Sequence, residues 1–208
     1  MLNFYLMRFI RNISFFGYSE AKPGEELYED AFKTAKLLAE NGFVIVNGGG
    51  PGVMHASTKG ASAVDGETLA VTFYPEDAPG FEGKYLGNVT TKEIITDTYI
   101  ERMFKLIEYG DTYIVFQGGT GTLSEFATIW CLARLYYGRH KPFILYGDFW
   151  KNIIKAFEKN MIVRGEEFKV LKIVNSPKEV LEALEEMEEQ FSKRLGHISF
   201  PSVVNGKK

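Results

Sequence analysis

Cysteine is almost missing from this sequence. A single thiol, Cys131, stands among 208 residues, so no intramolecular disulfide can form, and a chain of this length buries enough apolar surface to fold without one. Cys131 falls inside an apolar helical pattern and is expected to be a reduced, buried small hydrophobe, as in a reducing cytoplasm. Basic blocks are missing too: 24 Lys and Arg face 27 Asp and Glu, a net charge of -3, with no cluster of the kind that phosphate backbones require. Nucleic acid is therefore not an expected partner. The three histidines, His55, His140 and His197, lack ligand spacing, so no metal is expected. The apolar start, MLNFYLMRFIRNISFF, is interrupted by Arg8 and Arg11 and precedes no small-residue cleavage site. It reads as a lead-in to a first strand rather than a membrane span or signal peptide. No repeat or low-complexity linker divides the chain. One domain over residues 1–208 is expected, with its core at about 12–191 and residues 199–208 as a flexible tail.

What is present is alternation. Strand-length apolar runs (NISFF, FVIVN, ETLAVTFY, TYIVF, PFILYG, VLKIVN) alternate with segments of helical period, the signature of βαβ units. The fold class is therefore α/β, with a mostly parallel sheet. Asn41-Gly42 reads as the stop of the first helix, and Ser176 followed by Pro177 as the start of the last. The segment from Pro75 to Gly87, rich in Pro, Gly and charge, is long enough for a functional loop.

Two glycine-dense stretches, NGGGPGVM and QGGTGTLSE, each follow a strand pattern and open a helix. In a parallel sheet that edge is where ligands bind. Glycine allows an anion to approach main-chain N–H groups, and the following helix offers unpaired N–H groups with partial positive charge. Gly118, Gly119, Thr120, Gly121 and Thr122 are thus the candidate phosphate cradle. Glu125 is expected on the first turn of the following helix, where the helix terminus would keep it ionised. No Walker lysine is present, which argues against an ATPase, and FFGYSEAKPG lacks the GxGxxG spacing of a dinucleotide fingerprint.

At these residues the sequence resembles the LOG-like proteins, often labelled the lysine decarboxylase family, whose characterised members are nucleoside 5'-monophosphate phosphoribohydrolases acting on cytokinin ribotides. Gly118, Gly119, Thr120, Gly121, Thr122 and Glu125 match the family pattern PGGxGTxxE, with Gln117 in place of the proline. GGGPGVMHASTKGA is similar to the family's GGGPGIMEAANKGA, with His55 for Glu, and Arg102 in YIERMF matches the first of an Arg-Lys pair, with Met103 for the Lys. The resemblance implies a Rossmann-like three-layer fold with helices on both faces of the sheet. It also implies a homodimer with its active site near the interface, and hydrolysis of a nucleotide such as AMP to free base and ribose 5-phosphate. The decarboxylase label would imply pyridoxal phosphate, but no motif for a Schiff-base lysine is apparent, and no cofactor is expected.

Cleaving a ribosyl C–N bond builds positive charge on the sugar, so a carboxylate against the ring is the natural stabiliser. Glu125 is the candidate for that work, for orienting water or for binding the ribose hydroxyls; the alternative is an ordinary helix-start carboxylate. Arg102 is expected to reach the same cleft and pair with phosphate or substrate, or else to be a solvated helix-face charge. Gly17, Ser19, Asn47, Gly48, Gly49, Gly50 and Met54 are candidates for the nucleotide and ribose pocket. His55 is expected in a structural or rim role, and Trp130, Tyr136 and Tyr137 in core or dimer surface. The departures at Gln117, Met103 and His55 keep open a second reading, a non-catalytic nucleotide carrier or sensor on the same fold.

Overall fold

The computed structural model describes residues 9–74 and 83–196. The expected tail at 199–208, the lead-in before residue 9 and most of the Pro75–Gly87 segment lie outside the described residues. The elements run in chain order β1 (Asn12–Phe16), α1 (Glu26–Glu40), β2 (Val44–Asn47), α2 (Val53–Ser62), β3 (Thr68–Phe73), β4 (Lys92–Thr96), α3 (Tyr99–Tyr109), β5 (Thr112–Val115), α4 (Thr120–Leu135), β6 (Phe143–Tyr146), α5 (Phe149–Asn160), β7 (Leu171–Val174) and α6 (Pro177–Gly196). A short 3-10 helix at Glu166–Lys169 precedes β7 and left no periodic mark in the sequence.

Seven strands form one sheet in the order β4-β3-β2-β1-β5-β6-β7. All six pairings are parallel, with Ile13 beside Ile45 on one side and Thr112 on the other. Alternate residues of each strand point to opposite faces, and both faces are covered, so the central strands are continuously apolar rather than alternating. Ile13, Phe15, Ile114 and Ile144 pack with Ala31, Ala35 and Leu38 of α1, with α2, and with Val180 and Leu184 of α6. Phe16, Tyr113, Val115 and Leu145 pack the other way, against Leu106 of α3, Phe126 and Trp130 of α4 and Trp150 of α5. The result is three layers, an α/β Rossmann-like fold.

Local signals set the ends of the elements. Gly42 follows α1 with φ +78°, the conformation that favours glycine beyond a helix C-terminus. The Ser176 hydroxyl accepts from the Glu179 amide at 3.2 Å, and the Glu179 carboxylate accepts in return from the Asn175 amide at 2.8 Å, which fastens the start of α6. At the other end of α3, the Lys141 ammonium donates to the carbonyls of Ile107, Glu108 and Gly110 at 3.0, 3.0 and 2.7 Å, satisfying oxygens that a helix end leaves without partners.

One expectation is overturned. Cys131 is exposed. The helical period sends Phe126, Ile129, Trp130 and Ala133 of α4 inward and leaves Leu123, Ala127, Cys131 and Leu135 on the outer side. Because α4 is apolar nearly all round, its sequence cannot tell which side meets the sheet.

Candidate functional site

The strand order reverses at β1: the chain proceeds outward through β2, β3 and β4, then returns to place β5 on the other side of β1. Such a switch point opens a crevice beyond the carboxyl ends of the two strands. Gly17, Tyr18 and Ser19 leave β1 there, and the glycine-rich turn leaves β5 beside them, with the Tyr18 amide donating to the Gln117 carbonyl at 2.9 Å. A cavity of about 620 Å³ occupies the crevice, a volume typical of small-molecule sites. Its walls join Gly17, Tyr18 and Ser19 to Gly119–Thr122, Ser124 and Glu125 of α4, to Tyr99 and Arg102 of α3, and to Met54 and Phe73.

The candidate anion-binding end follows from the backbone. Gly119 is the residue before α4 and brings no side chain to cap it, so the first-turn N–H groups lie at the cavity wall without a side-chain cap. Gly118 permits a close approach: a Cβ there would lie 2.1 Å from Thr122 Oγ1 and 3.1 Å from the Gly17 carbonyl carbon, so any other residue would push the two loops apart. Ser124 Oγ donates to the Gly121 carbonyl at 2.7 Å.

Glu125 lines the cavity and is 8% exposed. It is the sixth residue of α4, which places it on the second turn rather than the first. Helix-terminus stabilisation of a carboxylate fades beyond the first turn, so the expectation that the α4 terminus acts directly on this side chain is corrected. That position also removes the reading of Glu125 as an ordinary first-turn acid.

Arg102 also lines the cavity, yet it is only 3% exposed and is not a solvated helix-face charge. Its Nε–H donates to the Val71 carbonyl at 3.0 Å and Nη2 to the Gly48 carbonyl at 2.9 Å, with Met54 Sδ 3.5 Å away. At least two of its five N–H groups therefore hold main chain, tying α3 to β3 and to the loop after β2. Gly48 is the glycine this requires, since a Cβ there would stand 1.7 Å from Nη2. Met103, in the place of the family's Lys, is buried with Sδ 3.8 Å from Ser124 Oγ, and so brings packing where a cation would bring charge.

The other candidates divide. Gly17, Ser19 and Met54 line the cavity; Asn47, Gly48, Gly49 and Gly50 are not among its lining residues. Asn47 is fully buried: its Nδ2 donates to Ser57 Oγ and Thr58 Oγ1, and its Oδ1 accepts from the Gly49 amide at 2.9 Å. It shapes the glycine loop from behind. His55 stands apart, its Nδ1 2.9 Å from the Tyr28 hydroxyl and its ring edge-on to Tyr85, a structural position. Burial, with help from Lys59, holds its pKa below the ordinary value. Trp130 is core and donates to the Glu167 carbonyl, while Tyr136 and Tyr137 are exposed beyond α4. No sequence motif points to Tyr18, Phe73, Tyr99 or Ser124; the fold brings Phe73 from the carboxyl end of β3 and Tyr99 from one turn before Arg102 to the cavity wall.

Among the described lining residues Arg102 and Glu125 are the charged ones, and no lysine is present to form a Schiff base. No group of three or more His, Cys, Asp or Glu side chains among the described residues is arranged to hold a metal ion. Nor is any helix among them long and apolar enough to cross a membrane.

The SLOG cluster4 family matches residues 10–180. An uncharacterized protein of Archaeoglobus fulgidus is 35% identical over 103 residues, half of this chain and 64% of that protein, so the match spans less than two thirds of that relative. A probable cytokinin riboside 5'-monophosphate phosphoribohydrolase of Oryza sativa subsp. japonica is 30% identical over 199 residues, covering 89% of this chain and 76% of the relative. The cytokinin riboside 5'-monophosphate phosphoribohydrolase of Mycobacterium tuberculosis is 32% identical over 139 residues, 64% and 69% of the two chains. Among solved structures, the molybdenum cofactor binding protein of Rippkaea orientalis superposes with a TM-score of 0.63 at 24% identity, over 87% of this chain and 98% of the other. DNA processing protein A of Helicobacter pylori, a single-stranded DNA binder, gives 0.55 at 17% identity, over 86% and 81%. These two likenesses are of fold.

Proposed function

Because this chain belongs to the SLOG cluster4 family, we propose that it is a nucleoside 5'-monophosphate phosphoribohydrolase, hydrolysing the N-glycosidic bond to release free base and ribose 5-phosphate. One observation carries the reading: a single cavity at the switch point is lined both by the uncapped start of α4 and by the Glu125 carboxylate. A phosphate held on the Gly119–Thr122 amides and hydroxyls fixes where the attached ribose must lie. As the C1'–N bond breaks, its electron pair leaves with the base and positive charge spreads over C1' and the ring oxygen. Glu125 stabilises that cation or takes a proton from the water that adds to C1', and the proton the water gives up balances the one the departing base takes up on nitrogen. Arg102 supports the wall of the cavity and contributes charge opposite in sign to the substrate's.

The catalytic unit we propose is a homodimer. The outer side of α4 exposes Leu123, Ala127, Cys131 and Leu135, α3 exposes Ile100 and Phe104, and Phe104 borders a groove with Leu132 and Tyr136; a helix apolar all round is stable when both sides are covered. Cytoplasmic residence suits a free thiol on that face.

Incubating the pure protein with AMP and the other nucleoside monophosphates, and separating free base by chromatography, tests the reading. Release by wild type, lowered roughly 10²–10⁴-fold in Glu125→Ala, is the expected result. No release from any monophosphate, with the two proteins alike, contradicts it.

A second reading has its own support. Met103 leaves the cavity without the second cation, and Arg102 gives N–H groups to main chain. A carrier or sensor of a nucleotide-like ligand needs the cradle but not the chemistry, and the fold is shared with a cofactor-binding protein. Tight binding by calorimetry with no turnover is the outcome that favours it.

A further inference from the structure

Tyr99 is the first residue of α3, and its backbone is fixed by the Thr98 cap, whose hydroxyl accepts from the Glu101 amide at 3.1 Å. Its ring is fixed as well. Phe73 meets it edge-on with centroids 6.0 Å apart, and the Arg102 guanidinium carbon lies 6.0 Å from its centroid. The side chain thus crosses from α3 to the start of α4: a Cβ built on Gly121 would lie 3.3 Å from the Tyr99 hydroxyl oxygen. Helical Cα–Cβ bonds tilt toward the N-terminus, so that oxygen stands over the first turn of α4, at the same cavity wall as the Thr120 and Thr122 residues.

We propose that the Tyr99 hydroxyl is a further binding group of this site and donates a hydrogen bond to the phosphoryl group seated on the first turn of α4. The inference rests on the reading of the cavity as a nucleotide site and deepens it. A 5'-phosphate brings close to two negative charges, whereas the cavity offers Arg102, partly committed to carbonyls, and neutral donors. A phenol aimed at the cradle supplies a strong neutral donor without adding charge beside Glu125. Glycine at 121 leaves room for it, since an alanine there would crowd the hydroxyl.

Tyr99→Phe keeps the ring, its contact with Phe73 and its position under Arg102, and removes only the hydroxyl. Calorimetric titration with ribose 5-phosphate and with adenosine, on wild type and on this variant, separates the contributions. The expected result is a loss of about tenfold or more in ribose 5-phosphate affinity, the size of a hydrogen bond to a charged group, with adenosine affinity unchanged. Unchanged ribose 5-phosphate affinity overturns the inference while leaving the nucleotide site standing, and so does an equal weakening of both ligands. Wild type that binds no ribose 5-phosphate defeats the parent reading itself, a different result from either.

Discussion

Single residues decide whether the cavity has its shape. Gly48 and Arg102 form a pair in which one exists to make room for the other, because a Cβ at 48 would stand 1.7 Å from Nη2 and 2.5 Å from Cζ of the guanidinium. Gly48→Ala is therefore expected to displace Arg102 from the Val71 and Gly48 carbonyls, lowering both thermal stability and nucleotide affinity; unchanged values in a melting scan and a titration would contradict the pairing. His55 provides a second test. Its folded-state pKa lies below the ordinary 6.5, from burial first and Lys59 second. The neutral ring is thus the form the fold favours, so its contribution is complete above about 6.5 and is lost as pH falls through the lowered value. The melting-temperature advantage of wild type over His55→Gln should shrink between about pH 7.5 and about pH 5; a constant difference would show that His55 does not titrate in this way. Little of this scale was legible beforehand. Glu125 and the cradle residues could be picked out because few other purposes place such residues at a strand-to-helix turn. Asn47 looked like a pocket residue and is a buried bracket, because hydrogen bonds to Ser57 and Thr58 arise only once α2 folds back over β2. Tyr99 carried no local signal at all, since its meaning lies in its nearness to Gly121, a residue 22 positions away.

At the scale of elements, the sequence and the fold agree closely, since the central strands are buried on both faces and therefore read as plain apolar runs, whereas the edge strand β4, KEIIT, is largely exposed. What could not be read was facing. The apolar residues of α4 surround the helix, so Cys131 was expected inside although Phe126 and Trp130 take the inner side. Phe126 anchors that side, with the rings of Trp130, Phe143, Trp150 and Phe157 at 5.2, 6.1, 5.0 and 6.2 Å. Phe126→Ala should cost about 3–5 kcal/mol of folding stability, because the cavity left among these rings cannot close fully. Urea unfolding measures it, and a loss below about 1 kcal/mol would show that α4 is seated by something else. Since Glu125 precedes Phe126 on the same turn, the packing that seats the helix also sets the depth of the carboxylate.

For the molecule as a whole, the strand order gathers residues from four separate loops and helices at one crevice, and it leaves the outer side of α4 apolar. Leu135 of α4 and Phe104 of α3 are 69% and 52% exposed. A charge placed there, as in Leu135→Glu combined with Phe104→Glu, should convert a dimer to a monomer in analytical ultracentrifugation without unfolding it. A wild-type protein that sediments as a monomer at every concentration would remove the dimer from the account. The family's fold was legible from the order of glycine turns along the chain; the proposed dimer surface was not, because composition does not distinguish an apolar residue inside the protomer from one on its outside. The most direct measurement is a crystal structure with ribose 5-phosphate bound. The account predicts the phosphate on the main-chain amides of Gly119–Thr122 and C1' turned toward the Glu125 carboxylate. Phosphate bound elsewhere, or C1' directed away from Glu125, would contradict it.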